Sequence, residues 1–147
     1  MGLLVIVAAA GIYFYFNPSY RLSLEAKYYF KRGNYEKAYE LASLAFNLDP
    51  YNKMAFTIKT QSLIAQEWVR FIEDSDRYFK EIEKIANKPE ITQKDKLKIK
   101  IMLEILLGEY KTLKSSLLLP EELKQEAKKR YEKVKRLYEE LFGKRSG

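Results

Sequence analysis

The side chains available for chemistry are carboxylates, lysines, tyrosines and hydroxyls, because the 147-residue chain contains no Cys and no His. Without Cys there are no disulfides, thiol nucleophiles or thiolate metal sites. Without His the usual general base and the commonest transition-metal ligand are missing. Asp74 and Asp76 flank Ser75 with the spacing that opens a calcium loop, but the downstream Gly and Glu of such a loop are absent. They are expected to cap a helix instead. The chain has neither a Gly-rich phosphate loop nor a Gly-x-Ser-x-Gly elbow. No catalytic residue, metal or cofactor is therefore expected, and the chain reads as a non-enzyme.

Cationic residues outnumber anionic ones, 27 Lys and Arg against 20 Asp and Glu, and the excess of +7 lies almost entirely after residue 90. Such a balance suits nucleic acid, anionic lipid or acidic protein partners. Glu is interspersed almost throughout, which favours simple solvation of helix faces and makes nucleic acid an unfavoured partner. The densest cluster is Lys94, Lys96, Lys98 and Lys100. Lys94/Lys98 and Lys96/Lys100 lie one helical turn apart, on two faces. They suit an acidic peptide or lipid headgroups.

These residues need elements to hold them. The first segment is of a different kind, since no charged side chain occurs from Met1 to Tyr20. Leu3, Leu4, Val5, Ile6, Val7, Ile12, Phe14 and Phe16 belong to a run with no polar side to give to water. As a helix, residues 1–16 span about 24 Å, short of a ~30 Å hydrocarbon core unless the bilayer thins. Tyr13, Tyr15 and Tyr20 crowd its polar end, as aromatic residues do at membrane interfaces. The leading expectation is a transmembrane anchor over residues 1–19. A cleaved signal peptide, which would lack its basic leading region, and a buried helix are the alternatives. Arg21, Lys27, Lys31 and Arg32 follow the segment, so the positive-inside rule places the remaining domain, 20–147, in the cytoplasm.

From Tyr20 onward the apolar pattern is helical. Leu22, Ala26, Tyr29 and Phe30 share a face, and Gly33-Asn34 stops that helix. A second stripe runs through Tyr35, Ala38, Leu41, Ala42, Ala45 and Leu48 to Asp49-Pro50. Met54, Ala55, Ile58, Ser62, Ala65, Trp68, Val69 and Ile72 mark a third helix. Asp74-Ser75-Asp76 predicts a turn, and Tyr78, Phe79, Ile82 and Ile85 a fourth helix. Thr92 can cap a fifth, with Asp95 as its capping-box partner. Residues 97–105 also alternate like a strand, but a lone strand would have nothing to pair with. Pro120-Glu121-Glu122 opens the last helix, whose stripe runs from Leu123 to Phe142 and stops at Gly143.

One pair is specific enough to resemble a family. Gly33-Asn34-Tyr35-Glu36-Lys37-Ala38, then Ala45, then Leu48-Asp49-Pro50, is similar in order and spacing to the second half of a tetratricopeptide repeat. Leu22 and Tyr29 fall where that family keeps large side chains, whereas Glu25 and Ala42 depart from its pattern. The resemblance covers about one repeat of ~34 residues. Gly108-Glu109-Tyr110 echoes Gly33-Asn34-Tyr35 in part. The resemblance implies an all-α solenoid of about three antiparallel helix pairs closed by a C-terminal capping helix. It also implies a scaffold or adaptor whose groove, lined by the first helix of each pair, binds protein partners. Tyr29, Arg32, Trp68, Lys94 and Lys98 are the candidate groove residues. Packing between helices is the competing role for Tyr29 and Trp68. Two further functions stay open. One is a basic module for anionic lipid or nucleic acid. The other is a subunit of a membrane or filament assembly packed through its apolar N-terminal helix.

Overall fold

The computed structural model describes residues 1–143. Among them the chain is all-α, with six helices and no strand. In order these are α1 (Gly2–Phe16), α2 (Pro18–Lys31), α3 (Tyr35–Leu48), α4 (Lys53–Ala86), α5 (Gln93–Thr112) and α6 (Glu121–Phe142). The chain divides into two compact units, Met1–Gln66 and the remainder from Glu67.

In the first unit, α1 buries none of its residues, so the buried-helix alternative fails. Asn17 ends α1 and caps α2, its side-chain oxygen accepting from Tyr20 N–H at 3.1 Å. Pro18 then occupies the first turn of α2, where its fixed φ and missing N–H cost nothing. The break bends the chain by 79°. No single described helix is long and apolar enough to cross a membrane.

α2 ends on Gly33, whose φ of 78° lies in the left-handed region. Asn34 N–H donates to the Tyr29 carbonyl and Gly33 N–H to the Phe30 carbonyl, both at 3.0 Å. This pair of bonds is a Schellman motif. Asn34 next accepts from Lys37 N–H at 3.1 Å and starts α3. α2 and α3 pack as an antiparallel hairpin, with Phe30 against Tyr35 at one end and Ser19 against Ala45 at the other. Ala26, Ala38, Ala42 and Ala45 are wholly buried; their small side chains let the helices approach closely. Leu48 leaves the expected stripe and is exposed, since it stands in the last turn, beyond the length of its partner's buried face. The first half of α4 runs antiparallel to α3, with Phe46 near Phe56 and Gln66 Nε2 donating to the Tyr35 carbonyl at 3.3 Å.

The second unit departs further from expectation. Asp74-Ser75-Asp76 makes no turn, because α4 is one continuous helix of 34 residues. The buried Ser75 hydroxyl donates to the Phe71 carbonyl one turn back, at 2.7 Å. Asp74 pairs with Arg77 at 2.7 Å, and Asp76 accepts from Arg130 of α6. Helix-breaking side chains are tolerated when such partners occupy them, and α4 contains no Gly or Pro. Gly108 also lies inside a helix, α5, and lacks the positive φ of Gly33. Its likeness to the first turn is one of letters only. Residues 97–105 are helical, so their strand-like alternation is overruled by helix packing.

Contacts along the second unit set the directions. Phe71 meets Tyr110, Glu81 meets Lys98, and Lys88 meets Asp95, so α5 runs antiparallel to the end of α4. Tyr110 meets Tyr131 and Glu104 meets Tyr138, so α6 runs antiparallel to α5. α6 is thus a full bundle member, burying Ala127, Val134 and Tyr138, and not only a solvating cap.

Candidate functional site

The sites that positioning residues build most firmly are the hairpin of the first unit and the tyrosine stack of the second. In the hairpin, Ser19 and Ser23 of α2 are buried and face Asn52 at the start of α4. Asn52 accepts from Ala55 N–H at 3.1 Å, as a helix N-cap does. Its amide nitrogen donates to Ser19 Oγ at 2.9 Å and Ser23 Oγ at 3.3 Å. Each hydroxyl in turn donates to a backbone carbonyl, Ser19 to Ala45 at 2.7 Å and Ser23 to Tyr20 at 2.8 Å. Three helices are tied at one buried polar point. An Asn just before an apolar stripe is a cap signal in any sequence, but its two serine partners lie about thirty residues away and only the fold joins them.

Tyr29 is half-buried on α2, and Arg32 is exposed with its guanidinium 5.0 Å from the Tyr28 ring. They belong to the first unit, whereas Trp68, Lys94 and Lys98 belong to the second. Trp68 keeps only 7% of its surface exposed. Its indole N–H donates to the Lys114 carbonyl at 2.8 Å, and its ring meets Tyr110 edge-on at 6.2 Å. Those contacts are core packing, the competing role for this residue. Lys98 is exposed and pairs with Glu81 at 2.7 Å, which holds the Glu81 carboxyl below its usual range. Lys94 is exposed.

The tyrosine stack was not legible as a unit in the sequence. Tyr110 and Tyr131 lie face to face, 4.1 Å apart and 12° from parallel. Burial, and then the neighbouring Tyr131, push the Tyr110 phenol up from its ordinary value. Near the other end of the unit, Asp95 closes the capping box with Thr92, each backbone N–H donating to the other's side chain at 3.1 Å. Lys88 adds an ion pair at 2.6 Å. That pair, and then the Thr92 bonds, hold the Asp95 carboxyl well below the usual range, at about 2. Among the described residues no group of carboxylates could hold a metal ion.

The candidate anchor residues Leu3, Leu4, Val5, Ile6, Val7, Ile12, Phe14 and Phe16 are all exposed, from 43% at Phe14 to 78% at Leu3. Eight exposed apolar side chains on one helix far exceed the scattered exposure that water tolerates.

Comparison with known proteins bears on the hairpin alone. A tetratricopeptide-repeat family model matches residues 20–52, which span α2, α3 and the turn after them. That hairpin is tetratricopeptide-like, and the likeness points to a protein-interaction scaffold. No curated protein and no solved structure matches the chain significantly.

Proposed function

We propose that the chain is a membrane-tethered helical-repeat scaffold that gathers protein partners at a membrane surface. The observation that carries the tether is α1, a 15-residue helix without charge whose residues are all exposed. Such a surface needs an apolar environment. At ~1.5 Å per residue α1 reaches about 22 Å, and local thinning of the bilayer around the Tyr13, Tyr15 and Tyr20 girdle absorbs the shortfall. The basic residues that follow α1 support a cytoplasmic side for the rest of the chain.

The repeat-like hairpin supports the scaffold reading. Tyr29 and Arg32 offer an aromatic and a cation to a partner in the first unit, and Lys94 and Lys98 offer cations in the second. Cross-linking in cells, followed by identification of what co-purifies, tests this reading. Capture should fall at least severalfold in Tyr29→Ala/Arg32→Ala and in Lys94→Gln/Lys98→Gln. Unchanged capture in both would remove the proposed binding residues. Release of the chain from washed membranes by mild salt alone would remove the tether.

A further inference from the structure

The outer face of α2 is assigned no role by its packing. Ser19, Ser23, Ala26 and Phe30 form its buried side. Tyr20, Leu24, Lys27, Tyr28 and Lys31 follow one another at helical spacing on another side. Leu24 is 45% and Tyr28 51% exposed. Arg21 and Arg32 flank this face, and Glu25 is the only acid in the helix. Apolar and aromatic groups bordered by long cations are the composition of a helix lying in a membrane interface, where the stems reach the acyl boundary and the charges meet headgroups.

The elbow between α1 and α2 fixes which way that face looks. Phe14, in the last turn of α1, packs on Tyr20 of α2 with ring centroids 4.5 Å apart. Residues on either side of a bend touch in this way only on its inner side. α1 therefore rises from the face of α2 that carries Tyr20, Leu24, Lys27 and Lys31. With the bend at 79°, an α1 directed into a bilayer leaves α2 nearly parallel to the surface, with that face turned toward the lipid. The basic charge then complements an acidic leaflet.

We propose that α2 is an interfacial helix whose Tyr20–Leu24–Lys27–Lys31 face rests on anionic lipid headgroups. The proposal rests on the membrane tether. Tyr29, the candidate for protein binding, lies on a different side of α2, so one helix serves both purposes.

The absence of Cys allows one dye to be placed cleanly. The full chain carrying Leu24→Cys, labelled with an environment-sensitive fluorophore, is reconstituted into two kinds of vesicle. One is phosphatidylcholine alone and the other equal parts phosphatidylcholine and phosphatidylglycerol. A Glu40→Cys label on exposed α3 is the reference. In anionic vesicles the Leu24 label should shift to the blue and be quenched by headgroup-level nitroxide lipid, while the Glu40 label stays in water. Lys27→Gln and Lys31→Gln should each lower the surface-bound population relative to free about fivefold. Flotation with vesicles while the Leu24 label remains in water overturns the proposal and leaves the tether intact. Failure to float removes the tether and the proposal with it. Quenching that is equal in both vesicles and indifferent to the lysines overturns the anionic-lipid assignment. Shielding of Leu24 by a captured protein, and not by vesicles, gives the face to that protein.

Discussion

Two glycines in similar sequence settings should respond to the same substitution with opposite signs. Gly33 holds a φ of 78°, and an added Cβ would meet nothing within 4 Å. The cost of Gly33→Ala is therefore purely conformational, about 1–2 kcal/mol for a left-handed L-residue. Loss of unfolded-state entropy returns about 0.4–1 kcal/mol, leaving a net loss near 1 kcal/mol. Gly108 sits inside α5 with no positive φ, and its added Cβ also meets nothing within 4 Å. There Ala is better than Gly by about 0.8–1 kcal/mol. The two variants should thus differ by about 2 kcal/mol, which corresponds to roughly 8–16 °C in Tm for compact units of 60–100 residues. Thermal and urea unfolding followed by far-ultraviolet circular dichroism, together with Trp68 fluorescence for the second unit, gives both values. Equal signs would falsify the reasoning: a loss in both would mean that Gly108 makes a turn after all, and a gain in both that Gly33 does not hold a left-handed φ.

Two further substitutions test the polar ties. Asn52→Ala removes a helix cap worth about 1 kcal/mol and two neutral hydrogen bonds worth about 1 kcal/mol each, so urea unfolding should show a loss of about 2–3 kcal/mol. A loss below about 0.5 kcal/mol would mean that the Ser19–Asn52–Ser23 cluster contributes nothing. Asp95, held at about 2 in the folded chain, should titrate near 3.9 when unfolded. A lowered folded value stabilises above the unfolded one, so this contribution is complete above about pH 4 and fades as pH falls toward 2. Asp95→Asn should lower Tm at neutral pH and converge with the parent chain near pH 2; a constant Tm gap across that range would reject the Lys88–Asp95 pair as its source.

Local chemistry was legible from the residues, and pairing was not. Asn17-Pro18, Gly33-Asn34, Asp49-Pro50, Thr92 and Gly143 mark helix ends by caps and φ restrictions that act within a few residues, and all lie at helix ends in the fold. The α2–α3 hairpin was legible for the same reason, since a short turn and a run of buried Ala specify both its direction and its closeness. Asp74-Ser75-Asp76 and Gly108 carried equally suggestive letters but lie inside helices. Whether Asp76 breaks a helix depends on Arg130, which is 54 positions away, and no local window contains that partner.

The candidate sites divide in the same way. The sequence by itself determined that the chain is all-helical, that its first segment has no polar face, and that cysteine and histidine chemistry is excluded. It also set the basic border of α2, because composition and period are properties of a single segment. Only the tertiary structure decided that α1 buries nothing, that Trp68 spends its indole on a core carbonyl, and that Tyr110 stacks on Tyr131. It alone decided that Phe14 on Tyr20 turns the cationic face of α2 toward the side from which α1 rises. Burial and facing are relations between segments, fixed by packing and hydrogen bonding across the chain.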